Sequence, residues 1–446
     1  MLGFTRSREW IYSESVRGKY QSIRRVTFVG LHLIMFLVPW MTWAGHPLFR
    51  VDVPTRRTYL VGQIFTASDT LILVLVLLFG AFALFFFTSL FGRLWCGYAC
   101  PQTVFLESWI RPIELWVEGG RGKRRWRDRK GLTFDLAWRK ALKWTLFLAV
   151  AFLLAMATMS VFGGARELWT GQGGKVEYAL VGVITVVWFW DFTWFREQFC
   201  NYLCPYARFQ SALTDDETVQ IQYDVPRGEP RGGGRDAARD GRCIECKKCV
   251  VVCPQGIDIR DGFQLECIGC AKCIDACANV MSELGHETLI DYSSLAGSQG
   301  KQPRRLRPRT VIYGGMLTGI AAAFVVLVSG RIPFEASVNR SPGTLYTLDA
   351  DGFVRNTYLL NITNNYPGDT TVSYSVSVEG LEGAQVHLPV IQMAPEETRT
   401  LPLVVRILAT DQLERTIPVQ VRIATRVSER LLGTTFKTGA HVGSTP

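Results

Sequence analysis

Five apolar runs close to membrane-spanning length divide this sequence, at 26–44, 70–91, 142–162, 178–195 and 311–329. A helix needs roughly 20 predominantly apolar residues to cross a bilayer. These runs hold almost no internal charge, so buried helices of a soluble protein are a poor account of all five. The polar stretch before the first run is long, and no small-x-small cleavage pattern follows within 41–47. The first run therefore reads as a retained anchor and not as a signal peptide. The chain is 48% hydrophobic, yet it carries 49 Lys+Arg against 39 Asp+Glu, a net charge of +10. Both hold only if the basic residues gather between the apolar runs. An aromatic content of 12% excludes general disorder.

The basic residues gather in alternate connections. Arg6, Arg8, Arg17, Lys19, Arg24 and Arg25 precede the first run, whereas 45–69 holds only Arg50, Arg56 and Arg57. Segment 92–141 contains Arg121, Lys123, Arg124, Arg125, Arg127, Arg129 and Lys130; 163–177 has just Arg166 and Lys175. The bias returns through Arg196, Arg208 and the basic cluster at 304–309. The excess of Lys and Arg in cytoplasmic loops predicts a cytoplasmic N-terminus and a C-terminal region on the opposite side. Juxtamembrane placement assigns the basic runs to lipid headgroups and topology, and predicts no nucleic-acid partner.

Between the fourth and fifth runs the sequence reads Cys243-x2-Cys246-x2-Cys249-x3-Cys253-Pro254, then Cys267-x2-Cys270-x2-Cys273-x3-Cys277-Ala278. This is the two-cluster bacterial ferredoxin spacing, in which the fourth cysteine of each run ligates the other cluster. One [4Fe-4S] cluster is thus predicted on Cys243, Cys246, Cys249 and Cys277, the second on Cys267, Cys270, Cys273 and Cys253. A pair of zinc sites is the alternative that thiolate sets leave open. Proline follows Cys253 but alanine follows Cys277, a departure that removes no ligand.

The remaining four cysteines form an internal repeat. Trp95-Cys96-Gly97-Tyr98-Ala99-Cys100-Pro101 follows the second run and Phe199-Cys200-Asn201-Tyr202-Leu203-Cys204-Pro205 follows the fourth, each with a phenylalanine four residues beyond its proline, Phe105 and Phe209. Two parallel hairpins related by an axis along the membrane normal would bring Cys96, Cys100, Cys200 and Cys204 together. Soft thiolates favour Cu(I) and iron–sulfur clusters, and proline suits the first position of a helix, where a preceding cysteine has its thiolate favoured. The set is a candidate copper or redox site; a buried pair or a packing motif is the plainer reading. The reducing cytosol disfavours disulfides here.

Other polar residues at membrane depth are fewer. His32 is the single histidine inside an apolar run, so paired haem ligands are absent. Met35, Met41, Met156 and Met159 are either a thioether path or ordinary packing, and Asp191 is either functional or paired with Arg196. Trp40, Trp43, Trp95 and Trp194 read as interfacial anchors. Residues 227–242 and 296–310 read as linkers tethering a mobile module. Beyond Arg331, alternating runs at 354–363, 370–378, 398–407 and 417–425, separated by turn signals that include Pro367-Gly368, point to an immunoglobulin-like sandwich without cysteine.

The expected fold is a multi-domain membrane protein: a five-helix transmembrane bundle, a two-[4Fe-4S] ferredoxin-like insert and a C-terminal β-sandwich. Its expected divisions are 1–25, a basic N-terminus; 26–226, spans one to four; 227–242, a linker; 243–295, the ferredoxin domain; 296–310, a basic linker; 311–330, span five; and 331–446, the sandwich. This combination, with twin Cys-x-Tyr-x-Cys-Pro motifs, resembles the CcoG/FixG/RdxA family of membrane polyferredoxins, accessory proteins of cbb3-type cytochrome c oxidase, over nearly the whole chain. The resemblance implies a bacterial inner-membrane protein with a periplasmic C-terminal domain. It further implies Cu(II) reduction to Cu(I) with the clusters passing electrons, copper placed near Cys96, Cys100, Cys200 and Cys204, a cytoplasmic electron donor, and oxidase subunits or copper-delivery proteins as partners. Two other functions stay open: an electron conduit to quinone or another respiratory complex, and a non-catalytic redox-sensing assembly scaffold.

Overall fold

The computed structural model describes residues 10–131, 133–232, 241–298, 304, 306–366, 371–388, 391–409 and 414–438. It divides into two units, Met1–Val38 with Leu75–Ala323 and Pro39–Val74 with Phe324–Pro446. Its principal helices are α1 (Lys19–Leu37), α2 (Thr70–Phe91), α3 (Leu94–Tyr98), α4 (Pro101–Phe105), α5 (Arg111–Glu118) and α6 (Arg121–Lys130). They continue with α7 (Phe134–Gly163), α8 (Lys175–Trp190), α9 (Pro205–Leu213), α10 (Lys272–Glu283) and α11 (Pro308–Ser329).

Five helical stretches are long and apolar enough to cross a membrane: Lys19–Trp40, Ala67–Phe91, Phe134–Gly163, Lys175–Phe195 and Pro308–Ser329. Over half of the most apolar window of α7 is buried, and none of that of α11. A helix apolar all round needs either a core or lipid around it; α7 takes the core position and α11 is left for lipid. Phe147, Val150, Ala151 and Leu154 of α7 pack with Phe28, Phe105, Ile110 and Phe192 in one buried cluster. Thr133 caps α7 by accepting a hydrogen bond from the Leu136 N–H at 3.3 Å.

The first helix begins at Lys19, earlier than the expected boundary at 26, and gives way to a 3₁₀ turn at Val38–Trp40. Its early start takes in Arg24, which is fully buried and donates from Nε to the Gly97 carbonyl at 3.0 Å. An arginine counted for topology therefore serves as a strut. The start of α1 is completed by a distant residue: Asp275 of α10 accepts from the N–H groups of Tyr20 at 3.2 Å and Gln21 at 2.7 Å. A carboxylate at a helix N-terminus satisfies free donors and complements the dipole.

The cysteine-rich insert is held against the helices, contrary to the expected mobile tether. Strands Gln220–Tyr223 and Ile290–Ser293 pair antiparallel across its neck, with Ile221 opposite Tyr292. Lys272 of α10 pairs with Glu107 at 3.1 Å, and Arg111 reaches the Pro254 carbonyl at 3.3 Å. At the expected first linker, Arg242 N–H bonds to Arg227 O at 2.9 Å and Gly232 N–H to Cys243 O at 2.9 Å. Residues 233–240 of that linker, 299–303 and 305 of the second, and the turn Pro367-Gly368 lie outside the described residues.

The second unit holds a small antiparallel sheet, β1 (Phe49–Asp52), β2 (Arg57–Leu60) and β3 (Gln63–Phe65), which the sequence reading left as a connection. The sandwich follows: β4 (Phe334–Arg340), β5 (Thr347–Leu348), β6 (Phe353–Asn364), β7 (Val372–Glu379) and β8 (Gln385–His387), then β9 (Ile391–Met393), β10 (Thr398–Leu408), β11 (Thr416–Ala424) and β12 (Glu429–Lys437). One sheet runs β8-β10-β6-β4 with β5 on β6; the other runs β9-β7-β11-β12. Burial alternates strictly along β6, so Val354, Tyr358, Leu360 and Ile362 enter a core shared with Val405, Val421 and Phe436. Glu396 ties the small sheet to this sandwich, meeting Arg57 at 2.9 Å, Tyr59 at 3.0 Å and His46 at 3.1 Å.

Candidate redox centre at the helix exits

Two cavities in the insert are lined by the cysteine runs. Cys253, Cys267, Cys270 and Cys273 surround one, with Ile257, Ile259 and Ile268 in its wall. Cys243, Cys246, Cys249 and Cys277 surround the other, beside Val280, Met281 and Leu289. Cys249 lies between the two and lines both. Each cavity thus draws thiols from both runs and is closed by aliphatic side chains. None of the twelve cysteines is in a disulfide, and the donor chemistry fits four-iron clusters, which thiolates hold in sheltered sites. Among the described residues no group of three or more His, Cys, Asp or Glu is arranged around a single ion. A cluster spreads its thiolates more widely than one metal ion does.

The loops share a backbone signature. Glu245 and Lys247 flank Cys246 with φ of 54° and 56°; Gly269 and Ala271 flank Cys270 with φ of 66° and 60°. A residue with a Cβ costs of order 1–2 kcal/mol in this left-handed region. Its recurrence at matching offsets gives the two loops the same turn around Cys246 and Cys270. The alanine after Cys277 has a structural reason as well. Cys277 and Ala278 lie inside α10, which continues to Glu283, where proline would remove a hydrogen bond and break the helix. Cys253 sits in a turn, where Pro254 is harmless.

The exit motifs are built as the repeat predicts in one respect. Cys100 and Cys204 occupy the N-cap positions of α4 and α9, each followed by proline at the first helical residue. In another respect they diverge: Cys96 lies in α3, whereas Cys200 lies in a π-turn, Phe199–Leu203. Cys200 is near enough to Cys100, Cys96 and Cys204 to feel their charges, though burial is what chiefly pushes its thiol up to about 12. Burial also raises Cys96 and Cys100; at Cys100 the N–H groups of Thr103 and Gln102 oppose it without prevailing. The expected thiolate at the helix N-terminus is therefore outweighed by desolvation. A soft cation must displace a proton to bind here.

The first exit motif packs directly on the loop of the second run. Cys96 shares a buried cluster with Ile268 and Cys270. A Cβ on Gly97 would fall 2.8 Å from both the Cys270 Cα and the Ile268 carbonyl oxygen. Tyr98 meets Tyr292 at 3.3 Å, and the Tyr292 hydroxyl donates to the Gly269 carbonyl at 2.7 Å. Two residues that sequence reasoning missed complete this contact. Arg93 is buried, donates to the Leu265 carbonyl, and its charge bears on Cys96, Cys100 and Cys200 as well as Cys267. Gln210, buried in α9, donates to the Cys96 sulfur at 3.5 Å. The signal for Arg93, an arginine just before the first motif, is indistinguishable in sequence from a topogenic charge.

The remaining candidates resolve differently. His32 is satisfied on both nitrogens, by the Phe28 carbonyl at 2.7 Å and the Trp109 indole N–H at 2.7 Å. Met156 and Met159 are packed in one core cluster and Met35 in another, while Met41 is exposed, so the four do not line a path. Asp191 accepts from Gln102 at 2.7 Å. Arg196 turns instead to Glu114, at 2.6 and 3.1 Å. Burial would raise the Glu114 carboxyl, but the charges of Arg196 and Arg124 hold it down to about 2.

Comparison with known proteins agrees with this layout. Residues 195–295 match a 4Fe-4S dicluster domain, 73–126 a 4Fe-4S binding domain, and 324–438 the Ig-like fold at the C-terminus of FixG. Protein RdxB of Cereibacter sphaeroides is 36% identical over 83% of this chain and 83% of its own. Protein RdxA of the same organism is 34% identical over 79% of this chain and 81% of its own. The nitrogen fixation protein FixG of Rhizobium meliloti is 31% identical over 85% of this chain and 81% of its own. A solved FixG-related protein from Vibrio parahaemolyticus aligns with 25% of this chain and all of its own, at 23% identity and a TM-score of 0.23. Homology that runs through the helices, the iron–sulfur insert and the sandwich alike places the chain in the FixG/RdxA family of membrane iron–sulfur proteins.

Proposed function

We propose that this protein transfers electrons to Cu(II) at the helix exits, giving Cu(I) for supply to a cbb3-type oxidase. In this reading Cys243, Cys246, Cys249 and Cys277 hold one [4Fe-4S] cluster and Cys267, Cys270, Cys273 and Cys253 the other. Bound there, the clusters supply one-electron transfer from a cytoplasmic reductant. The observation that carries the proposal is the contact of the first exit motif with the second cluster run: Cys96 packs on Cys270, and Gly97 admits no side chain between them. A thiol site touching a cluster loop is placed to exchange electrons with it over a short path.

The chain's own residues have distinct tasks. Cys96, Cys100, Cys200 and Cys204 offer soft sulfur that favours Cu(I) over Cu(II), so binding there assists the one-electron reduction. Arg93 offsets the negative charge gathered when the thiols lose protons, and Gln210 fixes the Cys96 sulfur. Orientation in a bacterial inner membrane, with the N-terminus and cysteines cytoplasmic and the sandwich periplasmic, follows from the alternating basic loops. Anaerobic titration of the reduced full-length protein with Cu(II) tests the proposal. Recovery of the oxidised clusters' absorbance, one electron per Cu(I) formed, should accompany the titration, and both should fail in Cys100→Ala/Cys204→Ala. Undiminished rates in that variant would remove the copper site, and oxidation by a quinone analogue but not by copper would replace the reaction.

A further inference from the structure

A cavity of about 790 Å³ lies between α1 and the segment 107–124, within the volume range of ligand sites. One wall is a single stripe of α1, with Val29, His32, Leu33 and Phe36 on neighbouring turns; Trp109 and Leu115 face it. Its other end is basic. Lys272 pairs there with Glu107, Arg111 with Glu107 and Glu197, and Arg124 with Glu114 and Glu118. Arg25 and Arg121 also line the cavity and have no ion pair or hydrogen bond among the described residues; the Arg121 Nε is buried without a partner. Against these two charges stands one unpaired carboxylate, Glu14.

Two further observations place this end at a headgroup layer. α5 is amphipathic in the inverted sense: Leu115 and Trp116 are 50% and 75% exposed while Glu114 and Glu118 are buried. Such a helix lies along an interface with its apolar face in lipid. The start of α6 has no side-chain cap, and a Cβ on Gly120 or Gly122 would meet nothing within 4 Å, so an anion has open access to its free N–H groups.

We propose that the groove binds one anionic phospholipid, its phosphate between Arg25, Arg121 and the start of α6 and an acyl chain along the α1 stripe. A neutral quinone fits less well, because the polar groups at the apolar end, His32 and Trp109, already satisfy each other.

Native mass spectrometry of the full-length protein in neutral detergent, titrated with phosphatidylglycerol or phosphatidylcholine, tests this. One phosphatidylglycerol should bind in preference to phosphatidylcholine. Arg25→Gln/Arg121→Gln should weaken phosphatidylglycerol by roughly 10- to 30-fold with iron content unchanged. Ser108→Phe, which narrows the trough but keeps the charges, should lower occupancy too; if it does not fold, the arginine pair decides. Equal binding of the two lipids, undiminished affinity in the arginine variant, or a retained quinone in place of phospholipid would each overturn the site.

Discussion

The two cysteine repeats in this chain acquire their geometry by opposite routes. In the cluster runs, the turn conformation is local: left-handed residues flank Cys246 and Cys270 at matching positions. In the exit motifs, the two copies are locally unlike, one in α3 and one in a π-turn. They are brought into register by contacts with other elements: Gly97 on the Cys270 loop, Gln210 on Cys96, Arg196 on Glu114. Equal spacing in sequence thus conceals a difference in what maintains the shape. The first repeat should fail one ligand at a time, and the second should fail when a distant partner is lost.

The sharpest break of this contrast is at Glu114. Replacing it with Gln removes the closer of the two carboxylates on buried Arg196, leaving Glu197 at 3.5 Å, and takes one partner from Arg124, a loss of up to about 3 kcal/mol. The variant should unfold earlier in a thermal melt and release the Cys200 segment to thiol alkylation, with cluster spectra altered less. Acid gives the same answer with a known sign. The folded carboxyl titrates at about 2, below its ordinary 4.5, so this stability is complete above pH 4.5 and is lost as pH falls toward 2. Hydrogen exchange of apo-protein near Arg196 should follow that window.

Gly97→Ala comes next. Its methyl group meets backbone on the far side, and overpacking of this kind costs about 1–3 kcal/mol; Gly120→Ala, with open space around it, should cost far less. The comparison is read in Tm and in Cu(II)-driven reoxidation, which only the first should slow. Asp275→Ala removes the cap of α1 and should cost about 1 kcal/mol, seen as faster exchange at Tyr20 and Gln21. Smallest in stability is Arg93→Gln, which should lower the midpoint potential of the nearer cluster in an EPR titration, because a cation beside a cluster favours its reduced form. An unmoved potential would return Arg93 to a purely structural role.

What was legible in the sequence follows the same division. The apolar spans, the cluster spacing and the strand alternation of β6 are short-range patterns, and each is visible in a dozen or so residues. The exit repeat was legible as a repeat, but not the partners that shape it, since Arg93, Gln210 and Gly97 carry no local sign of what they touch. Charge counting misled at Arg24, which counts toward topology in the sequence and is a buried strut in the structure. The α1 start was misplaced for a related reason: its cap comes from α10, and no residue beside Lys19 announces it.

That cap has a consequence for biogenesis. The carboxylate closing the first membrane helix is translated more than 250 residues after the amides it binds. The leading turn of that helix therefore stays without this cap until α10 has been made and packs against it. Docking of α10 and settling of the first anchor become one late event, and protease sensitivity near Tyr20 should report whether the two have met.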